Sequence, residues 1–364
     1  RAPSKPIGEG HGAEITLTHG GKVRSLLPSP VESGAYMWEF SEISAEFSCV
    51  YDEFTARTSV AVSGAENGEA RTVSVFAKSD IDSASLEFSF EAVLADASDY
   101  VNHPAYWRLG IEARRDQNCI TLHRLPRGNQ AECWLCLACD KPMAAKAGGS
   151  SEDGFLSYPT VAAAVQLSLK AGEKLDVRFA LCLADTPEGA YSGAQHMLAM
   201  GPAEYGAMVS ACASVTHMSS REVDDAMGML QSLWFISPKS QLPPKSSLWR
   251  CGLSGDLPII CCKDDGDVVS ITKQFCLLRS CGVYADLVFL TDEGGEYRRP
   301  VYSKVRDTLA SHGLEALIGT HAGVRLLPTE DADLIESASA FIVGDESPRR
   351  RFENAPRVFA QRIR

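Results

Sequence analysis

Three cysteines stand at regular spacing in the segment ECWLCLACD, at Cys133, Cys136 and Cys139. Thiolates with such spacing are found in zinc knuckles and iron–sulfur sites. A loop that wraps a metal ion needs Gly, Pro or polar residues between its ligands, whereas Trp, Leu and Ala lie between these cysteines. Such residues favour a buried strand, in which positions three apart point to opposite faces. We therefore expect buried thiols here and no metal site.

Acidic residues follow three predicted strands in the carboxy-terminal part of the chain. They are Asp264, Asp265 and Asp267, then Asp292, Glu293 and Glu296, then Asp345 and Glu346. If these strands are parallel, the three loops share one edge of the sheet, where Mg²⁺ or Ca²⁺ could bind several carboxylates. Asp264 and Asp292 are the candidate metal ligands. Because Asp is also a frequent helix cap and turn residue, solvated loops are the favoured interpretation.

A tryptophan beside an arginine, Trp249 and Arg250, has the chemistry of a sugar platform. Pyranose C–H faces pack on indole rings, and a guanidinium donates hydrogen bonds to hydroxyl groups. The alternative is a buried Trp249 that anchors the linker. Because an ordered SGDLP loop should fix the α/β domain against the linker, we expect Trp249 to be mostly buried. Asp256 in SGDLP precedes an apolar strand, where its carboxylate either caps the loop by accepting backbone N–H groups or serves a ligand.

Several common catalytic signatures are absent from the sequence. It contains no Ser-His-Asp order, GxSxG elbow, HExxH helix, Walker loop or GxGxxG turn, which removes the usual hydrolase, zinc-protease and nucleotide-binding interpretations. His103, which precedes a proline in NHPA, is expected to be a structural hydrogen-bonding group. No cofactor is predicted.

The composition of the chain limits its classes of partner and its location. The 364 residues include 35 Lys and Arg against 47 Asp and Glu, a net charge of −12 that argues against nucleic acid and anionic membranes as partners. The longest apolar runs are too short to span a bilayer. Twelve cysteines form no spaced disulfide framework, which favours a reducing, cytoplasmic location. Because the chain begins at Arg1 without a signal sequence, we expect a piece of a longer protein.

The elements that must position these residues change in character along the chain. Residues 1–190 alternate with period two, which predicts an antiparallel β super-sandwich, with Asn67-Gly68 as its best two-residue hairpin turn. Ala, Met and Leu at helical spacing predict two helices in a linker over residues 191–236. Residues 237–345 alternate between strand and helix, which predicts a small three-layer α/β domain. Residues 346–364 are an arginine-rich tail or a connection to a further domain.

Two helices of this α/β domain have clear boundary residues. Asp267 is the expected cap of the first helix and Gly282 its terminator, while Pro300 lies in the first turn of the second helix and Gly313 follows its last. The predicted fold class is therefore multidomain β plus α/β, with LEALI, after Gly313, among the predicted strands.

Several phrases in their order along the chain resemble glycoside hydrolase family 94, especially cyclic β-1,2-glucan synthases and 1,2-β-oligoglucan phosphorylases. The phrases are FSFEAVLADASDYVNHPAYWRLGIEA, HRLPR, LSLKAGEKLDVRFALCLA, LWRCGLSGDLPII and GVYADLVFLTDEGGEYRRP. The block with Trp249, Gly252, Ser254, Gly255 and Asp256 is the most specific. The resemblance spans about residues 45–345 and adds Tyr297 and Arg299 to Trp249, Arg250 and Asp256 as candidate carbohydrate contacts.

The resemblance implies a non-catalytic role for this chain. Those enzymes act through a helical barrel whose aspartate general acid has no counterpart in this sequence, so no catalytic residue is carried over. The implied function is the amino-terminal part of a β-glucan phosphorylase or cyclic-glucan synthase-like enzyme. Its partners would be a β-linked gluco-oligosaccharide, the missing barrel domain and a second copy of the chain. The alternatives are a stand-alone carbohydrate-binding protein and a metal-dependent enzyme that uses the acidic loops.

Overall fold

A computed structural model describes residues 13–27, 35–41, 43–116, 118–205, 207–215, 217–234, 242–263, 267–293 and 298–343. The chain divides into two compact units. The first unit comprises nearly all described residues up to Ala207, and the second begins at Met208. Among the described residues, no helix is long and apolar enough to cross a membrane. The predicted tail, residues 346–364, lies outside the described residues.

The first unit is built mainly from two antiparallel sheets. One has five strands in the order β11-β13-β7-β1-β2, and the other has nine in the order β12-β8-β9-β10-β14-β6-β5-β4-β3. The strands are β1 (Glu14–His19), β2 (Lys22–Ser25), β3 (Ala35–Phe40), β4 (Ala45–Val50), β5 (Phe54–Val62), β6 (Gly68–Ala77), β7 (Ile81–Glu91), β8 (Ile111–Asp116), β9 (Cys119–Arg124), β10 (Cys133–Cys139), β11 (Ala144–Ala147), β12 (Gly154–Phe155), β13 (Thr160–Leu169) and β14 (Lys174–Ala184). The predicted super-sandwich is confirmed.

Alternating side chains fill the space between these two sheets, because successive residues of a strand face opposite sides. Phe88 of β7 and Phe179 of β14 are fully buried, and their ring centroids lie 5.5 Å apart across the two sheets. The guanidinium of Arg71, on β6, lies 4.9 Å from the Phe88 ring centroid. The sandwich core therefore centres on Phe88.

Four helices belong to the first unit: α1 (Ala97–Asn102), α2 (Pro104–Trp107), α3 (Pro187–Ala199) and α4 (Pro202–Tyr205). The Thr186 hydroxyl caps α3 by accepting the Gly189 N–H at 3.1 Å. The buried side of α3 packs on the outer face of the nine-stranded sheet through small residues, including Ala190, Ala194 and Cys136.

The cysteines of β10 occupy a buried strand, as predicted. Cys136 and Cys139 are buried and Cys133 is half-buried. Burial raises the pKa of the Cys139 thiol to about 11, so this thiol is protonated near neutral pH. Among the described residues, no group of three or more His, Cys, Asp or Glu side chains is arranged to hold a metal ion.

The hairpin predicted at Asn67-Gly68 is present, but its turn is different. β5 and β6 are joined by residues 63–67, and neither Asn67 nor Gly68 has a positive φ. The Ser63 hydroxyl accepts the N–H groups of Ala65 and Glu66 at 3.1 and 2.9 Å. This side chain stabilises a longer loop, so the chain has no need of a two-residue turn at Asn-Gly.

The second unit is a three-layer α/β arrangement around a parallel sheet with the order β17-β16-β15-β18. Its elements are α5 (Ala207–Val215), α6 (Ser220–Trp234), α7 (Lys245–Leu248), β15 (Ile259–Cys262), α8 (Val268–Ser280), β16 (Asp286–Leu290), α9 (Pro300–Ser311), β17 (Val324–Leu327), α10 (Ala332–Ala338) and β18 (Phe341–Ile342). The fold class is thereby confirmed. Between the sandwich and residue 237 the sequence predicted two helices, and the described residues there form four helical segments, α3 to α6.

Apolar residues cover both faces of the parallel sheet. Helices α5, α6, α8 and α9 pack on the face that carries Ile260 and Leu287. The segments around α7 and α10 pack on the face that carries Cys261 and Val288. Burial on both faces explains why the strands read as continuous apolar runs.

Local signals at the helix ends behave as predicted. The Asp267 carboxylate caps α8 by accepting the Ser270 N–H at 3.1 Å, and Gly282 follows that helix with φ of 81°. Pro300 begins α9, and Gly313 follows it with φ of 68°. The predicted strand LEALI is wrong, because Glu315–Leu317 forms a 3-10 turn closed by Gly319 in the left-handed conformation.

Close packing around Gly68 leaves no room for a side chain at this position. A Cβ at this position would lie 2.6 Å from Met197 Sδ and closer still to the Leu181 carbonyl oxygen. We expect Gly68→Ala to lower the free energy of unfolding by about 1–3 kcal/mol, measured by chemical denaturation. Gly228→Ala is the control, because a Cβ there meets nothing within 4 Å. An unchanged unfolding transition in Gly68→Ala would contradict this packing.

Candidate functional site

Trp249 and Arg250 lie in a 3-10 turn, Trp249–Cys251, that directly follows α7. Leu248 and Cys251, three positions apart and thus on one side of such a turn, are buried against the parallel sheet. Trp249 points away from that core and is 66% exposed. The expectation that Trp249 is buried is therefore wrong, since Leu248 and Cys251 anchor this turn instead. An exposed indole is free to take a ligand.

Arg250 beside this indole is fixed by an ion pair. Its Nη2 donates to Asp331 Oδ1 at 2.8 Å, and the Arg250 side chain is 66% exposed. Burial raises the pKa of the Cys251 thiol, and the Asp331 charge adds to this shift. Gly252 ends the turn in the left-handed conformation with φ of 72°. The ion pair fixes the guanidinium against Asp331 with N–H donors left over.

Asp256 has a different partner from the expected one. Its Oδ1 accepts from Lys245 Nζ at 2.6 Å, and both side chains are 63% exposed. Among the described residues the carboxylate accepts no backbone N–H, although the Asp256 N–H donates to Ser254 Oγ at 3.1 Å. The hydrogen bond from Lys245 lowers the pKa of Asp256. Asp256 thus links its loop to α7, where the sequence suggested a cap.

The remaining carbohydrate candidates are not brought to the same place. Arg299 is exposed at the start of α9, and its side chain does not cap that helix. Tyr297 lies outside the described residues. Within the described part of the chain, no hydrogen bond or ion pair joins Trp249 or Arg250 to Asp256 or Arg299. His103 is exposed at the end of α1.

Of the two candidate metal ligands, Asp292 lies within the described residues. Asp292 Oδ1 accepts the Thr329 N–H at 2.9 Å, and its Oδ2 accepts the Thr329 hydroxyl at 2.6 Å. These hydrogen bonds lower the pKa of Asp292 and tie the end of β16 to the segment after β17. Asp264 lies outside the described residues, so the metal site stays a prediction.

Glu293 has a structural role that the sequence did not reveal. Its buried carboxylate accepts the N–H groups of Val301 at 2.6 Å and Tyr302 at 3.1 Å. These two donors belong to the first turn of α9, whose N–H groups have no partner within the helix. Glu293 therefore caps α9 from a distant position, and its place in an acidic loop was the sole signal.

Asp286 is a second buried acid that sequence reasoning missed, because it opens the apolar run of β16. It is 2% exposed, and its Oδ2 has no hydrogen-bond partner among the described residues. Burial raises the pKa of Asp286, and this outweighs the opposing effects of His321, Arg325 and the N–H groups of Ala322 and Gly323. A carboxyl group in this setting keeps its proton to higher pH than an exposed one.

Comparison with known proteins identifies a class of domain in the first unit. Residues 15–147 match the family model of the glycosyl hydrolase 94 supersandwich domain. This stretch lies within the first unit and covers well under half of the chain. The match supports a relationship to the glycosyl hydrolase 94 family. The narrower resemblance to cyclic β-1,2-glucan synthases stays a prediction.

Solved structures of carbohydrate-active enzymes are also similar to this chain. A protein described as a kojibiose phosphorylase from the human microbiome is 9% identical, with a TM-score of 0.38, and the match covers 73% of this chain and 31% of that one. A bacterial glucoamylase complexed with acarbose is 8% identical with a TM-score of 0.38, covering 61% and 35%. The chain spans about a third of the length of either. At such TM-scores these similarities support no conclusion about function. No curated protein matches the chain.

The raised pKa of the buried Asp286 predicts how the stability of the protein changes with pH. Its folded-state pKa is raised, so its contribution to stability is fully present below the unfolded-state pKa, ~3.9, and is lost as pH rises through the folded-state pKa. Asp286→Asn keeps one acceptor oxygen without the charge. We expect this variant to melt higher than the parent at pH 7.5, with a smaller difference at pH 4, in thermal denaturation followed by circular dichroism.

Asp292→Asn is the matched control, because the pKa of Asp292 is lowered. Its contribution is present above the unfolded-state pKa and is lost at low pH. This variant should therefore melt lower than the parent at pH 7.5 and like the parent at low pH. The same pH dependence in both variants would contradict the assignment.

Proposed function

We propose that this chain is the non-catalytic part of a glycoside phosphorylase or cyclic-glucan synthase-like enzyme that processes β-glucans. It supplies carbohydrate contacts and docks against a catalytic helical barrel and a second copy of the chain. The observation that carries the proposal is the match of residues 15–147 to the glycosyl hydrolase 94 supersandwich domain. The ordered phrases of the sequence extend the same resemblance into the second unit.

The surface formed by Trp249 and Arg250 is the proposed carbohydrate contact. An exposed indole offers an apolar face for the C–H groups of a pyranose ring. The guanidinium beside it donates to sugar hydroxyls with the N–H groups that the bond to Asp331 leaves available. Asp331 thus orients the donor. A β-linked gluco-oligosaccharide has both features, C–H faces and hydroxyl groups, in every residue.

Truncation of the indole tests this contact. We expect Trp249→Ala to raise the dissociation constant about tenfold in calorimetric titration with β-1,2- and β-1,4-linked gluco-oligosaccharides. Truncation of a central aromatic contact typically costs more than about 1 kcal/mol of binding free energy. Phe155→Ala is the control, since Phe155 is 68% exposed, close to the 66% of Trp249. Equal affinity in parent and Trp249→Ala would remove this surface from the proposal.

A second prediction concerns activity. Glycoside cleavage in most families needs a carboxyl group to protonate the leaving oxygen, and Asp331, the carboxylate bonded to this surface, is ion-paired with Arg250. We expect the purified chain to release no glucose 1-phosphate from β-1,2-gluco-oligosaccharides and inorganic phosphate, measured by a coupled enzymatic assay. Release above a no-protein control would show that the chain is catalytic by itself.

A further inference from the structure

The first unit contains a cavity of about 430 Å³ that no function described above uses. Its walls come from the hairpin between β5 and β6, the segment after β7, the region of β9 and β10, and the end of β14. The volume lies within the range of about 300–1,000 Å³ that is usual for small-molecule sites. All of its walls belong to one compact unit.

A buried guanidinium lines this cavity. Arg124 is 3% exposed, its two Nη atoms donate to the carbonyl oxygens of Leu125 and Ala131, and it lies 5.8 Å from the ring centroid of Trp107. Its Nε has no hydrogen-bond partner among the described residues, but this atom is buried from the cavity. Arg124 therefore gives the wall a positive charge and no free donor.

Two further polar side chains line the cavity without a hydrogen bond to any described residue, Asn67 and Asp96. The other charged groups of the wall are already paired. Glu66 Oε1 lies 2.9 Å from His196 Nδ1, and Glu69 accepts from Arg71 at 2.7 Å. The cavity thus offers a ligand an acceptor group in Asp96 and an amide, Asn67, that donates and accepts, and both side chains are exposed.

This combination selects the chemistry of the ligand. The carboxylates of Asp96, Glu66 and Glu69 disfavour an anion, and the guanidinium of Arg124 disfavours a cation. Neutral hydroxyl groups suit this wall, since a hydroxyl group donates to a carboxylate and accepts from an N–H group. Apolar side chains such as Val93, Leu94 and Leu135 complete the wall and suit C–H groups. We propose that this cavity binds a neutral saccharide unit of one or two hexoses.

This site is distinct from the Trp249–Arg250 surface. It rests on the proposed function only in expecting a saccharide as the natural ligand, because its residues lie in the other unit. Failure of one site therefore leaves the other intact. The Trp249→Ala variant tests the surface, and variants of the cavity test the present inference.

The test measures binding of D-glucose and of a β-1,2-linked glucose disaccharide by calorimetry. We expect Asn67→Ala and Asp96→Ala each to weaken binding at least about fivefold when they are made in a Trp249→Ala background, which removes the contribution of the Trp249–Arg250 surface. Asp82→Ala is the control, since it removes an exposed carboxylate of the same unit that lies 3.6 Å from Lys170. Glucose 1-phosphate should bind more weakly than glucose because of the acidic wall.

A second readout locates the ligand. Cys133 is half-buried and lines the cavity, so saturating glucose should slow its alkylation by iodoacetamide, followed by peptide mass spectrometry. The half-buried Cys281 of the second unit serves as the reference thiol. The proposal is overturned if neither sugar binds, if binding survives in both cavity variants, if Cys133 is not protected, or if glucose 1-phosphate binds more tightly than glucose.

Discussion

The close approach of α3 to the nine-stranded sheet is the constraint on which the first unit depends. A Cβ at Gly193 of α3 would collide with Cys182 Sγ, and one at Gly68 of β6 would lie 2.6 Å from Met197 Sδ. The helix can pack this closely only because both surfaces are built from small side chains. Cysteine suits such a surface because its thiol is small and apolar, which explains why Cys136 and Cys182 face the helix.

The same constraint positions the cavity. The hairpin loop after β5 lies between α3 and the cavity, since Glu66 pairs with His196 of α3 while Asn67 lines the opening. The loop is fixed from within by the Ser63 hydroxyl. Two independent sets of contacts therefore hold the wall that carries Asn67, which is the rigidity that a preformed binding site needs.

Much of the fold was predictable because its signals are local. Period-two alternation specifies strands, and a cap such as Asp267 or a first-turn proline such as Pro300 acts within one helical turn. Where the sequence misled, the competing interaction was also nearby but of another kind. Ser63 stabilised a longer hairpin loop than Asn67-Gly68 predicted, and Leu248 with Cys251 took the buried positions that Trp249 was expected to hold.

The candidate sites were less predictable, because the state of a polar side chain depends on partners distant in sequence. The sequence predicted solvated acids at Asp292 and Glu293 and a cap or ligand group at Asp256, yet the structure gives each a partner that stabilises the fold. Arg124 shows the reverse. In the sequence it is one more charged residue at the end of a strand, but folding buries it, with its guanidinium 5.8 Å from the Trp107 ring centroid.

Ligand binding in this cavity would also be linked to the fold of the first unit. A saccharide that binds the folded sandwich and not the unfolded chain would stabilise the first unit specifically. The cavity wall includes Leu181 and Leu183 of β14, which lie beyond residues 15–147. A ligand site of this kind therefore needs the complete sandwich, and the domain match alone does not contain it.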